Sequence, residues 1–288
     1  MATPKTLISI ITPAYNAEKY IEHCIESVQQ QTFSEYEHLV IDGLSTDRTI
    51  GIVKRCQKKF PNLKLFTQKD AGVYDAMNKG IQLAQSEWLY FLGADDLMAT
   101  KDVLQIISEE IKKGGYQIIY GNVVFKNTGN LYDKEFDIEK ILTRNICHQA
   151  VFYHLSVFTK IGMYNLRYST KADYDLNVRC WLSREIKHLY VGITIALYAD
   201  GGLSSVNEDG NFIEDYPYIV LNSILKGNRG ALSKIHFLSI AYRKIFQRYP
   251  LSILGSEVFK KDFFIYRFLA ICWMIISVPF YFFKKTSI

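Results

Sequence analysis

LISIITPAYNAEKYIEHCIESVQQQTFSEYEHLVID, residues 7–42, changes its hydrophobic period twice. Leu7–Thr12 is an apolar run of strand length. Ile21, Cys24, Ile25 and Val28 then fall at the i, i+3, i+4, i+7 spacing of one helix face, and Glu37–Ile41 reads as a second strand. Strand, helix and strand in so short a stretch form a βαβ unit, whose crossover helix makes the two strands parallel. The alternation continues. Thr46 and Asp47 can cap a helix through Ile50, Val53 and Cys56 that stops before Pro61; Leu63–Thr67 is a strand, Val73–Ala84 a helix and Glu87–Leu92 a strand. Further on, Val103–Ile111 and Leu155–Ile161 read as helices, Gln117–Phe125 as a strand, and Asp173 stands at the front of another helix.

Three strand ends carry polar or charged groups: Pro13-Ala14-Tyr15-Asn16, Asp42-Gly43-Leu44-Ser45 and Gly93-Ala94-Asp95-Asp96. Parallel strands bring their carboxyl ends to one edge, so these turns are expected to converge in one crevice. Adjacent carboxylates repel and resist desolvation. Asp95-Asp96 is therefore either a solvated turn, with Asp96 or Thr100 capping the helix that begins near Lys101, or a seat for a cation. Carboxylates gathered beside a helix N-terminus suit a nucleotide with a divalent cation. Neither GxGxxG nor GxxxxGK[ST] occurs, which removes the phosphate cradle of dinucleotide-binding and P-loop proteins and leaves charge neutralisation to a metal.

With 288 residues, 49% of them hydrophobic, the chain can form one large domain with an appendage. Its five cysteines are scattered without a CxxC pair, which argues for a reducing compartment and against structural zinc. The apolar stretch Leu7–Ile11 breaks at Pro13 and reads as a strand, not as a signal peptide. The net charge of +5 is unevenly placed: from Lys226 onward eleven basic side chains stand against two acidic ones. Within that stretch Ile235, Leu238, Tyr242, Ile245, Phe246 and Tyr249 recur at helical spacing in basic company, the pattern of a helix lying on a membrane surface. Phe263–Phe283 is apolar except for Arg267 and is bracketed by Lys260-Lys261 and Lys284-Lys285, about the length of roughly 20 residues that a spanning helix needs. The tail is expected to attach to an anionic membrane surface, spanning or monotopic, with a buried core or dimerisation helix as the alternative. Such apolar company argues against nucleic acid as the partner.

Taken in order, ISIITPAYNAEKYIEHCIESVQQQTF, LVIDGLSTDRTI, KDAGVYDAMNKGI, WLYFLGADD, CHQAVFY and ADYDLNVR resemble the successive motifs of family-2 glycosyltransferases with the GT-A fold, over residues 7 to about 200. The resemblance implies inverting transfer of a sugar from a nucleotide-diphosphate donor to an acceptor hydroxyl. By that resemblance Pro13, Tyr15 and Asp42 hold the nucleotide, with the Asp42 carboxylate accepting from a ring N–H of the base; many relatives carry a second acid where Gly43 stands here. Asp70 and Asn78 belong near the ribose and sugar. Asp95-Asp96 matches the DXD-type metal motif in an ADD form, with Asp96 on Mg²⁺ or Mn²⁺ and Asp95 on the donor. His148 and Gln149 belong near the acceptor and diphosphate. Asp173 falls where the family places its general base, with Ala172 in place of the usual preceding acid; Asp175 is the alternative base, and a plain helix cap is the alternative role for Asp173.

The expected architecture is therefore α/β with the GT-A fold. Residues 1–210 would form a catalytic domain around a single, mostly parallel nucleotide-binding sheet with flanking helices, and residues 211–288 a helical, membrane-associating tail at the cytoplasmic face. The expected function is transfer to a glycan acceptor, lipid-linked, in surface polysaccharide biosynthesis. Two other classes share these residues: a metal-dependent nucleotidyltransferase, and a non-catalytic nucleotide-sugar-binding protein of the same fold.

Overall fold

The structure, a computed structural model, describes residues 6–132, 134–199, 208–226 and 231–248. Strands β1 (Ile8–Ala14) and β2 (Tyr36–Asp42) are buried at every residue, as central strands covered on both faces must be. Helix α1 (Ile21–Gln29) joins them and buries Ile21, Cys24, Ile25 and Val28, the stripe visible in the sequence. Helix α2 (Thr49–Gln57) turns Ile52, Val53 and Cys56 inward, and these close one core with Ala14, Val40 and Leu63. Each fully buried Ile or Val there stabilises the fold by ~2 kcal/mol.

β2 pairs in parallel with β3 (Leu63–Thr67). After helix α3 (Val73–Leu83) the chain returns to the other side of β1, where β4 (Trp88–Phe91) pairs in parallel with it. The order β3-β2-β1-β4 thus reverses direction at the β1/β4 boundary. Connections on either side of such a boundary leave in opposite directions and open a crevice beyond the carboxyl ends of the strands.

Past β4 the expectation of a mostly parallel sheet is corrected. Strands β5 (Leu97–Met98), β6 (Ile118–Phe125), β7 (Leu131–Tyr132), β8 (Val151–His154) and β9 (His188–Tyr198) complete the order β3-β2-β1-β4-β8-β6-β9-β5, with β7 on β6. Of the eight pairings among the described residues, four are parallel and four antiparallel, so the sheet is mixed. An apolar run shows that a strand is buried but not which way it runs; the connection decides that. β8 enters late in the sequence and runs backwards between β4 and β6. The strand β9, parallel to β6, is an element that the sequence reading did not include.

The remaining helices are α4 (Val103–Lys113), α5 (Ile138–Ile141), α6 (Ser156–Lys160), α7 (Ala172–Leu182), α8 (Gly210–Lys226) and α9 (Ala231–Arg248). The chain divides into two compact units, one of residues 1–136, 146–176 and 185–209, the other of residues 137–145, 177–184 and 210–288. In the second unit Phe212, Val220, Leu238 and Ala241 are buried, and the Tyr216 hydroxyl donates to the Leu142 carbonyl at 2.7 Å. The amphipathic stretch from Ile235 to Phe246 lies within α9, whereas Tyr249 and Phe263–Phe283 lie outside the described residues. Among the described residues no helix is long and apolar enough to cross a membrane.

One buried group in the sheet sets a pH dependence. His38 of β2 is fully buried, with Nε2 2.9 Å from Thr12 Oγ1 and no partner for Nδ1. Burial pushes its imidazole down to about 3, so the native chain keeps it neutral where the unfolded chain takes up a proton, below about 6.5. Protons bound only by the unfolded state weaken the native state, so stability falls as pH drops from about 6.5 towards 3. The share lost between pH 7.5 and 5 is expected to be about 2 kcal/mol. Urea unfolding of the wild type and His38→Gln at the two pH values measures it: the variant should lack that share, and equal pH dependence in both chains would refute the assignment.

Candidate active site

Leu92 follows β4, and its amide donates to the Ile11 carbonyl of β1 at 3.1 Å. The next four residues turn sharply, with the Asp96 amide donating to the Gly93 carbonyl at 3.1 Å. Glycine is needed here because a Cβ at residue 93 would strike the Asp96 carboxylate and lie 3.0 Å from Asp95 Oδ1. The turn therefore folds both carboxylates back over its own start. Asp96 is buried and Asp95 is half-buried. Asp96 Oδ2 accepts from Gln149 Nε2 at 2.6 Å and Oδ1 from the Ala199 amide at 2.8 Å. Burial, and then the charge of Asp95, push the Asp96 carboxyl up to about 6, against the pull of those two donors. The cap alternative does not hold for Asp96: α4 begins after Asp102, and the Asp96 side chain is spent inside the site.

At the other side of β1, Asp42 ends β2 in register with Ala14. Strands lie about 4.8 Å apart, so the ends of β2 and β4, with β1 between them, are about 10 Å from each other. Asp42 is fully buried; Oδ2 accepts from the Ser45 amide at 3.1 Å and Oδ1 has no partner. The loops after β1 and β2 clasp each other, the Asn16 amide donating to Ser45 Oγ and the Thr46 amide to Asn16 Oδ1, both at 2.9 Å. Asn16 and Leu44 hold φ values of 49° and 64°, a left-handed conformation that this clasp sustains. Pro13 is buried in β1, whereas Tyr15 stands 64% exposed at the mouth. Asp70 lies over this loop as well: a Cβ at Gly43 would come within 2.5 Å of Asp70 Oδ2, so the missing second acid at residue 43 leaves room for the one at 70.

The other carboxylate comes from α7. Asp173 is buried; Oδ1 accepts from the Tyr74 hydroxyl at 2.7 Å and from the Tyr174 amide at 2.9 Å, and Oδ2 lies 3.5 Å from His148 Nδ1. His148 and Gln149 are consecutive in a 3₁₀ turn, His148–Ala150, that leads into β8. One turn thus meets Asp96 through one residue and Asp173 through the next. The turn is itself held by the Tyr90 hydroxyl, which donates to the Gln149 carbonyl at 2.9 Å. Asp175, the alternative base, is also buried in α7. The Asn78 side chain clasps the Tyr164 backbone: Nδ2 donates to the Tyr164 carbonyl at 2.9 Å and Oδ1 accepts the Tyr164 amide at 3.1 Å. Sequence reasoning named Asn16 and Ser45 only as members of their strand-end turns and gave no role to Ala199 or Tyr74. Of the last two only Tyr74 leaves a trace in the sequence, since it stands one helical turn before Asn78 on α3.

Among the described residues no group of three or more His, Cys, Asp or Glu gathers about one point, so there is no all-protein metal cage. Mg²⁺ is commonly held by one or two carboxylates, with phosphate and water completing its shell. Asp96 fits that kind of seat. Each Asp96 oxygen accepts one hydrogen bond and keeps a second lone pair, and burial, with the Asp95 charge second, disfavours its ionised form, a cost that a cation would relieve.

The sequence profile described as Glycosyl transferase family 2 matches residues 9–171. A PGL/p-HBAD biosynthesis glycosyltransferase of Mycobacterium tuberculosis is 38% identical over 221 residues, 75% of this chain and 86% of that protein. A chondroitin synthase of Escherichia coli is 27% identical over 190 residues, 64% of this chain and 28% of that protein. Among solved structures, S. aureus TarS 1-349 in complex with UDP superposes with a TM-score of 0.71 at 19% identity, over 86% of this chain and 73% of that one. The mannosyltransferase PcManGT from Pyrobaculum calidifontis, in complex with GDP-Man and Mn²⁺, does so with a TM-score of 0.56 at 13% identity, over 96% and 83%. Both superpositions are likenesses of fold, and they agree with the α/β, GT-A-like arrangement of the sheet and its flanking helices.

The Asn78 clasp generates a prediction. Asn78→Ala removes two partly buried hydrogen bonds to the Tyr164 backbone, and stability is expected to fall by about 2 kcal/mol. Urea unfolding should show a lower midpoint with an unchanged slope, while nucleotide affinity stays within about twofold. A stability unchanged within error, together with lost nucleotide binding, would return Asn78 to the donor side.

Proposed function

This chain belongs to glycosyl transferase family 2 and is a glycosyltransferase, and from that premise we propose that it transfers a sugar, with inversion, from a nucleoside-diphosphate donor to a hydroxyl of a glycan acceptor. The observation that carries the proposal is the 3₁₀ turn whose consecutive residues His148 and Gln149 meet Asp173 and Asp96. That turn relates two carboxylates distant in sequence, which supports one of them for acceptor activation and the other for diphosphate departure. The unpartnered Asp42 Oδ1 supports nucleotide binding on the β2 side, because a buried lone acceptor suits a ring N–H of a base. Pro13, Tyr15 and Asp70 line the same side.

The chemistry follows from these placements. The acceptor hydroxyl gives its proton to the Asp173 carboxylate as its oxygen forms a bond to the anomeric carbon. The bond from that carbon to the phosphate oxygen breaks, and its electron pair leaves with the nucleoside diphosphate. A single displacement from the face opposite the leaving group inverts the carbon. A Mg²⁺ or Mn²⁺ ion, which Asp96 would hold while Asp95 faces the donor, would supply positive charge for the departing diphosphate when bound. The turn residues His148 and Gln149 keep the two carboxylates at their stations.

The acceptor in this proposal is lipid-linked and lies at the cytoplasmic face of an anionic membrane. Eleven basic side chains from Lys226 onward, together with the apolar run Phe263–Phe283, support it, since each basic residue near an anionic surface contributes on the order of 1 kcal/mol. Relatives named for PGL/p-HBAD biosynthesis and for chondroitin synthesis support a place in surface glycolipid or polysaccharide synthesis.

Two measurements test the site. Asp96→Ala should abolish both transfer and metal-dependent nucleotide binding. Asp173→Asn should keep nucleotide affinity while turnover falls by about 10² or more; if Asp175→Asn shows that behaviour instead, the base is misassigned. Any hydrolysis of a nucleotide sugar by the wild type separates the enzyme from a non-catalytic binding protein. For the membrane, removing residues 249–288 spares the packed helix α9. The shortened chain, which keeps six of the eleven basic side chains, is expected to sediment less with anionic vesicles than the full chain while keeping donor hydrolysis, and undiminished sedimentation would refute the anchor.

A further inference from the structure

We infer that Tyr74 is a positioning residue for the transfer: its buried phenol fixes the Asp173 carboxylate in the orientation from which it takes the acceptor proton. The inference rests on the reading of Asp173 as the base. Tyr74 stands on α3, 99 positions before Asp173, and its hydroxyl donates to Oδ1 at 2.7 Å. The Tyr174 amide reaches the same oxygen at 2.9 Å. Two donors converging on one oxygen oppose rotation of the carboxylate about its Cβ–Cγ bond and turn Oδ2 to the other side, where His148 Nδ1 lies 3.5 Å away. A base works only when the proton to be taken lies within hydrogen-bond reach, so the direction of the carboxylate bears on rate as much as its presence does.

Tyr74 is suited to this by its own surroundings. Burial, and then the neighbouring charge of Asp173, push its phenol well above the ordinary tyrosine value, so it stays protonated and remains a donor. Its ring packs against Tyr164 with centroids 5.4 Å apart. The backbone of Tyr164 is clasped by Asn78, four residues after Tyr74 on the same helix. The helix α3 thus fixes the ring, the ring fixes the hydroxyl, and the hydroxyl fixes the carboxylate. The same helix begins three residues after Asp70, whose Oδ1 accepts the Gly72 amide at 3.0 Å, so one element borders the expected donor side and holds the base.

Tyr74→Phe deletes the hydroxyl and keeps the ring. The probe is the nucleotide sugar that the wild-type full chain hydrolyses fastest, with Mn²⁺, in a panel of UDP-, dTDP- and GDP-sugars. Tyr74→Phe is expected to lower kcat by about tenfold to a hundredfold, the scale of one hydrogen bond to a charged group, with the donor KM within about twofold. In an Asp173→Asn background the same substitution is expected to change nothing further, because the group through which it acts is already gone. An equal fractional loss in both backgrounds, or an undiminished kcat in the single variant, overturns the inference. If Asp173→Asn alone keeps full turnover, the base assignment has failed instead, and the two failures are told apart by that one variant. A readout without any ligand comes from infrared difference spectra of each chain against its Asp173→Asn counterpart. The carboxylate stretch should shift when the Tyr74 hydroxyl is removed, and an unmoved band overturns the inference as well.

Discussion

Burying a carboxylate is costly unless donors meet it, and this fold buries Asp96 and Asp173 in one unit. The 3₁₀ turn His148–Ala150 supplies part of the answer to both: the Gln149 amide meets Asp96 directly, and the His148 imidazole lies beside Asp173. The turn is in turn fixed by the Tyr90 hydroxyl on its carbonyl and by β8, which follows it without a gap. Because β8 lies against β4, the strand that leads to the Gly93–Asp96 turn, the sheet registers the polar side chains as well as the apolar ones. Moving β8 by one residue would exchange its two faces and turn its buried ring away from Tyr90, whose ring now stacks on Phe152 at 4.3 Å.

The mixed character of the sheet has a consequence for chemistry. A purely parallel sheet offers strand ends and helix N-termini at one edge and little else. Running β8 backwards between β4 and β6 brings the segment before it, with Cys147, His148 and Gln149, to the edge where the carboxyl ends of β1, β2 and β4 lie. The parallel half therefore supplies Asp42, Asp95 and Asp96. The antiparallel insertion supplies Gln149, which meets Asp96, and His148, which lies beside Asp173.

Helix α3 does similar work from the other side. Tyr74 and Asn78, one turn apart, reach the Asp173 side chain and the Tyr164 backbone, so a helix read from the sequence as part of the nucleotide-binding half also steadies the segment leading into α7. The close approach of Asp70 to the α-carbon of Gly43 is of the same kind, one part of the chain using space that another leaves open.

The elements that were legible in the sequence are those governed by local periods. The stripe Ile21, Cys24, Ile25 and Val28 and the helix opening near Asp173 declare themselves by apolar residues at helical spacing, and β1, β2 and β4 by short apolar runs, since strands buried on both faces carry no alternation. The order of motifs likewise marked Asp42, Asp96 and Asp173, since residue type and neighbours suffice for that. The direction of β8, the pairing of β9 and the partners Gln149–Asp96, Tyr74–Asp173 and Asn78–Tyr164 were not legible, for they join positions 53, 99 and 86 residues apart. A hydrogen bond between distant residues leaves no period in the chain. The sequence by itself determined which residues could hold charge at strand ends; only the tertiary structure decided which donor each carboxylate faces, because that depends on strand order and register, which are set by the packing of the whole sheet.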